Sequence, residues 1–162
     1  MHLEKEIAHY LQNLNLRFEV IEHEPFHTVE ETLGAYTSMG IPENKSLFVR
    51  DEKKKRFYLV VIAGEKRADL KNLAERFGEK RLSFCSPATL KDKLQTYPGA
   101  VSPFGLIFDK TNSVTVLFDN DLLTGQHIGF HPNINTQTWK IKTEDFKKFL
   151  TNVPQKITFD TL

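Results

Sequence analysis

The sequence predicts an α+β fold: a curled mixed sheet flanked by helices, in one domain over residues 1–162. Three observations predict it. Helically spaced and strand-like segments are interspersed without strict βαβ order. Two neighbouring runs, 46–50 and 57–63, are apolar on both faces, which puts them in the middle of a sheet covered on both sides. A chain of 162 residues with 40% hydrophobic side chains is large enough to bury the core of one ordinary domain.

The elements follow in order. Leu3, Ile7, Leu11 and Leu14 form one stripe of a helix over 2–14. Phe18 and Val20 alternate with charge in a strand over 17–22, which Pro25 ends. Thr28-Val29-Glu30-Glu31 has the capping-box pattern and opens a helix over 29–38, stopped by Gly40 and Pro42. The run Asp51-Glu52-Lys53-Lys54-Lys55-Arg56 joins the two central strands as a hairpin tip. Asp69 caps a helix with Leu70, Leu73, Ala74 and Phe77 on one face, closed by Gly78. Ser86-Pro87 opens another, with Leu90 and Leu94 inward. Strands are expected at 114–118, 127–130 and 137–141. A last helix begins at Thr143 and buries Phe146, Phe149 and Leu150, and residues 154–162 form a tail with the character of an extra edge strand.

Composition narrows the function. Lys and Arg number 22 against 21 Asp and Glu, so neither a wholly basic nucleic-acid binder nor an acidic disordered tail fits, although local patches remain open. The single cysteine, Cys85, allows no internal disulfide and no Cys-rich metal site; within Leu82-Ser83-Phe84-Cys85 it reads as a small apolar filler. No run reaches the ~18 apolar residues of a membrane span, and the first residues are charged and amphipathic. A cytoplasmic protein with no membrane partner is therefore expected. Phe occurs 13 times against two Met, which predicts a stiff aromatic core.

The loudest motif is misleading. His23-Glu24-Pro25-Phe26-His27 spells the zinc-peptidase pattern H-E-x-x-H, but that chemistry needs a helix to aim both histidines at one metal. Pro25 removes a backbone donor in mid-motif and drives Glu24 out of the helical region, so no metal is expected there; with neither a G-x-x-x-x-G-K-[ST] nor a G-x-G-x-x-G run, no cofactor is expected either. Lys45 opens the central hairpin on the face of Leu47 and Val49. A lysine there commonly snorkels to solvent; its functional reading is a partly desolvated amine beside a carbonyl. The loop Gly99-Ala100-Val101-Ser102-Pro103 is small and stiff. It suits an ordinary turn, and equally a set of amide N–H groups aimed at an oxyanion or a ribose hydroxyl. His131, held extended before Pro132, fits either a ligand contact or a structural hydrogen bond. Lys53, Lys54, Lys55 and Arg56 at one end of the second central strand, and Lys66 and Arg67 at the other, are a solvated face or a set of phosphate contacts.

Taken together these segments resemble the bacterial prolyl-tRNA editing family, free-standing relatives of the editing insertion of prolyl-tRNA synthetase. The resemblance rests on His23-x-Pro25-x-x-Thr28-Val29-Glu30-Glu31, on Lys45-Ser46-Leu47-Phe48-Val49-Arg50-Asp51 with Tyr58-Leu59-Val60, on Pro98 to Leu106, and on Phe130-His131-Pro132 with Asn135-Thr136. The H-x-P-x-x-T segment is closer to the alanine-editing branch. Position 46 is Ser where relatives often carry Asn, and Asn133-Ile134 is more polar than the family pattern.

The resemblance implies a sheet curled into a partial barrel and metal-independent hydrolysis of Ala-tRNA(Pro). Lys45 and Gly99 would be catalytic. Phe26, Thr28, Ala100, Val101, Ser102, Pro103 and His131 would bind substrate, and Lys53, Lys54, Lys55 and Arg67 would contact tRNA. The implied partners are the tRNA(Pro) acceptor end and prolyl-tRNA synthetase. A deacylase for cysteine or serine on tRNA, or a non-catalytic tRNA-binding module, is the alternative.

Overall fold

The fold is that of a computed structural model describing residues 3–162. The predicted first helix begins at His2, outside the described residues; its described part is α1 (Leu3–Asn13), with Ile7 and Leu11 buried. Then follow β1 (Phe18–Glu22), α2 (Val29–Met39), β2 (Asn44–Asp51), β3 (Phe57–Ala63), α3 (Leu70–Phe77), β4 (Leu82–Phe84), α4 (Pro87–Leu94), a 3-10 helix (Pro103–Phe108), β5 (Val114–Asp119), a short 3-10 turn (Asn120–Leu123), β6 (His127–Phe130), β7 (Gln137–Lys142), α5 (Thr143–Asn152) and β8 (Ile157–Asp160).

The expected α+β class holds, with one correction. The strands form two open sheets rather than one curled sheet: β1-β7-β6, all antiparallel, and β4-β2-β3-β5-β8. Neither closes into a barrel. Composition could not reveal the split, because β3 takes β5 as a parallel partner more than fifty residues later, Phe57 opposite Val114 and Val61 opposite Phe118. β8 adds to β5 in parallel as the expected edge strand. The three-residue β4, too short to leave a period, pairs with β2 on its other side.

β3 shows why the central hairpin reads apolar throughout. Phe57, Leu59, Val61 and Ala63 enter the large core between the sheets, while Tyr58 and Val60 enter a smaller one against Leu73 and Ala74 of α3. The phenylalanines fill the large core as predicted: Phe104, Phe118, Phe130, Phe146 and Phe149 are fully buried. Most of their rings meet edge-on or tilted, as between Phe104 and Phe149 at 5.5 Å and 75°, while Phe146 and Phe149 stack at 5.5 Å and 25°.

Caps set where the helices start. Thr28 Oγ1 accepts from the Glu31 amide at 3.0 Å, and the Glu31 carboxylate reaches back to the His27 amide at 2.8 Å, one residue beyond its usual target. Asp69 and Ser86 cap α3 and α4 as the sequence requires. The site forms where the start of β2 lies beside β6 and α2.

Candidate active site

A cavity of about 320 Å³ opens between the start of β2, the end of β6, α2 and the loop before the 3-10 helix. Phe26, Lys45, Gly99, Val101 and His131 line it, five of the residues that the sequence singles out. Lys45 is half-buried at the second position of β2, and its Nζ donates to the carbonyl oxygen of Lys66, in the segment that follows β3.

Gly99 adopts φ +95°, a region that side-chain-bearing residues rarely occupy, and that conformation sets the path of the loop past the cavity. The nearest atom to an added Cβ would be Asn135 Nδ2 at 3.9 Å, so the glycine answers to backbone conformation rather than to space. The amides of Gly99 and Val101 meet no acceptor among the described residues, which leaves two N–H donors beside the cavity.

Four predicted substrate contacts lie elsewhere. The Ala100 amide donates to the Tyr97 carbonyl at 3.0 Å, its carbonyl accepts from Thr96 Oγ1 at 3.1 Å, and the residue is fully buried. Ser102 is buried and accepts from the Phe104 amide at 3.2 Å, so its hydroxyl caps the 3-10 helix. Pro103 is the buried first residue of that helix. Thr28 is spent on capping α2; one helical turn later Thr32 reaches the cavity instead.

His131 sits against an aromatic group. His23 stacks on Phe26 at 4.3 Å and 13°, with the His131 ring 5.7 Å from His23 and 6.2 Å from Phe26. A carbonyl can only accept, so His131 Nδ1 donates to the Gln137 carbonyl at 2.8 Å and carries the ring proton. Its Nε2 is left without a partner among the described residues. Burial holds the ring below its ordinary value, helped by neighbouring His23 and opposed by the Gln137 bond, so His131 stays neutral at pH 7. His23 uses both nitrogens, toward the Glu24 carbonyl and Thr138 Oγ1, each at 2.8 Å. Residues 23–27 are not helical, so the H-E-x-x-H spelling lacks the geometry that zinc would need.

The rest of the wall is not assigned to a site from the sequence: Tyr36 and Asn44 are new, and Ser46, Leu47, Phe130 and Asn135 stand only within the segments that carry the family resemblance. Two signals could have found some of them. Thr28, Thr32 and Tyr36 recur every four residues on α2, and Ser46 is the immediate neighbour of Lys45. Ser46 Oγ is buried without a partner among the described residues, and Asn44 Nδ2 donates to the Gly129 carbonyl at 3.0 Å, tying β2 to β6 of the other sheet. Burial and nearby Glu43 push the Tyr36 phenol up to about 12.

The basic residues separate. Arg67 follows β3 at the Lys45 end of the hairpin, whereas Lys53, Lys54 and Lys55 occupy its tip, about 24 Å of strand away. Lys66 is engaged by Asp119 at 3.0 Å and by Asp121 at 2.7 Å.

Residues 23–149 match the family model of the aminoacyl-tRNA editing domain. The chain belongs to that family. Among relatives of this editing-domain chain, the prolyl-tRNA editing protein ProX of Acetoanaerobium sticklandii is 37% identical over 140 residues, covering 86% of this chain and 85% of the relative. Prolyl-tRNA synthetase associated domain-containing protein 1 of Danio rerio is 33% identical over 163 residues, covering 98% and 88%. A crystal structure described as a candidate trans-editing enzyme for prolyl tRNA synthetase shares the editing-domain fold, with a TM-score of 0.70 at 17% identity over 98% of this chain and 96% of that one. Among the described residues no helix is long and apolar enough to cross a membrane.

Proposed function

We propose that this editing domain acts in trans as a cytoplasmic deacylase that hydrolyses alanine from mischarged tRNA(Pro). The observation that carries the reading is the shared cavity: Lys45, the unengaged amides of Gly99 and Val101, and neutral His131 border one space of small-substrate size. The aminoacyl ester enters with its carbonyl toward the two amides, which stabilise the oxyanion formed when water adds to the carbonyl carbon. Lys45 fixes the ester and supports the same charge. The bond from the carbonyl carbon to the ribose oxygen then breaks, and a proton passes to that oxygen, giving free amino acid and a ribose hydroxyl. His131 Nε2 accepts a hydrogen bond from the attacking water or the substrate's amino group. No step requires a metal or cofactor.

The selectivity follows a physical rule. A synthetase pocket sized for proline discriminates poorly against a smaller side chain, since each missing methylene is worth only ~1–3 kcal/mol. A second, smaller pocket walled by Phe26, Val101 and Phe130 clears the error and spares the correct product. The tRNA(Pro) acceptor end is the partner at the cavity, with Arg67, at the Lys45 end of the hairpin, and Lys53, Lys54 and Lys55, at its tip, contacting the tRNA backbone; prolyl-tRNA synthetase supplies the mischarged substrate. The test is deacylation of tRNA(Pro) charged separately with alanine, cysteine, serine or proline. Turnover of alanine alone supports the reading, and turnover of cysteine or serine alone moves the substrate. No turnover of any ester leaves a binding module.

A further inference from the structure

We infer that Asp119, outside the cavity, is a positioning residue for Lys45 and acts through the turn that carries Lys66. The inference rests on the reading of Lys45 as the working side chain. Asp119 ends β5, is fully buried, and lies one residue beyond the Val61–Phe118 pair of the parallel β3–β5 ladder. Its carboxylate grips both ends of the turn leaving β3. Oδ2 accepts from the Ala63 amide at 3.0 Å, Oδ1 accepts from Lys66 Nζ at 3.0 Å, and Oδ1 also takes the Asp121 amide at 3.1 Å. The turn closes on itself through the Lys66 amide and the Ala63 carbonyl at 3.0 Å, and Gly64 docks onto the Glu43 carbonyl at 2.7 Å, just before β2. The Lys66 carbonyl, fixed in this way, is the acceptor of Lys45 Nζ.

The arrangement separates two tasks that one ion pair would confuse. A carboxylate bonded directly to Lys45 would cancel the charge that the ester needs. Here the acceptor at Lys45 is a neutral carbonyl, and the carboxylates of Asp119 and Asp121 sit on the Lys66 ammonium instead. A lysine side chain has four rotatable bonds and loses much rotamer freedom when held, so its aim depends on an acceptor that does not move. Burial alone would raise the Asp119 carboxyl, but the Ala63 amide and the Lys66 ammonium outweigh it and hold the group below its usual range, so it stays ionised at working pH.

The experiment compares Asp119→Asn, Lys66→Met and Asp51→Asn with the wild type on alanine-charged tRNA(Pro), with melting temperatures measured in parallel. Asp51 is a buried carboxylate that staples the other end of the hairpin, and it controls for general loosening. Asp119→Asn is expected to lower kcat about 10–100-fold with KM within about twofold, the mark of a displaced reacting group. Lys66→Met keeps the carbonyl but frees the turn, and is expected to lower kcat by several-fold. Asp51→Asn leaves kcat unchanged. An unchanged kcat in a folded Asp119→Asn protein overturns the inference, and so does a rise in KM alone. If Asp119→Asn does not fold, Lys66→Met is read by the same criteria. Full activity in Lys45→Ala would sink the proposed site itself, a result separate from either outcome at Asp119.

Discussion

The two ends of the β2–β3 hairpin are closed by similar chemistry and serve different ends. At the tip, Asp51 accepts from the Lys55 and Arg56 amides at 2.7 and 2.9 Å, and Arg56 forms a two-pronged pair with Glu79 at 2.7 Å. At the other end, Asp119 holds the turn after β3 in the same manner, with an amide and a basic side chain on one carboxylate. The tip network ends at its own turn and at Tyr58, whose hydroxyl donates to Glu79 at 2.6 Å. The Asp119 network continues through a carbonyl to Lys45 and the cavity. A buried carboxylate that staples a turn is therefore not informative by itself. What distinguishes the two is the atom that the stapled turn presents next.

The contrast can be broken or sharpened by experiment. The largest effect away from Lys45 is expected at Gly99. Gly99→Ala meets no clash but forces an alanine into φ +95°, a strain of about 1–3 kcal/mol. Shifting the loop amides should cost about two orders of magnitude in deacylation rate, the lower end of what losing an oxyanion donor costs. Steady-state kinetics of the folded variant check this, and near-normal kcat would remove the loop from the chemistry.

At the tip, Asp51→Asn is expected to lower the melting temperature and leave kcat alone. The Arg56 and Lys55 amides hold the Asp51 carboxyl below its usual range against the opposing effect of burial. Its stabilising contribution is therefore present above the unfolded value and is lost as pH falls through the lower folded value. Thermal melts between pH 6 and pH 2 should show a smaller acid loss in the variant than in wild type, the remainder coming from Asp119, Glu79 and Asp160, which are also held low.

A smaller effect separates the ends by pH. His131 lies below its ordinary value of 6.5 in the folded protein, so below that pH the unfolded chain takes up the proton first. Stability is highest above about 6.5 and falls as pH drops from there through the lower folded value. His131→Asn should flatten this stretch of the stability curve, and no titratable group at the tip should affect it. The smallest effect is electrostatic. Neutralising Lys53, Lys54 and Lys55 together should reduce the salt slope of tRNA binding by up to about 3 and leave kcat intact. An unchanged slope would take the tip out of the interface.

Much of this was legible from local chemistry. The Thr28, Asp69 and Ser86 caps, the doubly apolar β3 and the phenylalanine core all follow from short-range spacing. Phe26, Lys45, Gly99, Val101 and His131, expected from turn chemistry and the family resemblance, line one cavity. What stayed hidden depends on contacts far apart in the chain. The parallel β3–β5 pairing decides both the two-sheet architecture and the position of Asp119, yet nothing within either strand names its partner. Phe130 and Asn135 reach the cavity only because β6 and its following loop lie beside β2. Ala100 and Ser102 lie outside the cavity lining, and their internal hydrogen bonds could not be read from the small size of their side chains.

The measurement that bears most directly on the account is the rate of alanine release from charged tRNA(Pro) by wild type and by Lys45→Ala, with tRNA binding followed in the same preparations. The account predicts rapid release by wild type and a loss on the order of 10²–10³-fold in the variant, with tRNA still bound. Equal rates in the two proteins would contradict it, because the cavity end of the hairpin would then hold a lysine that the chemistry does not use.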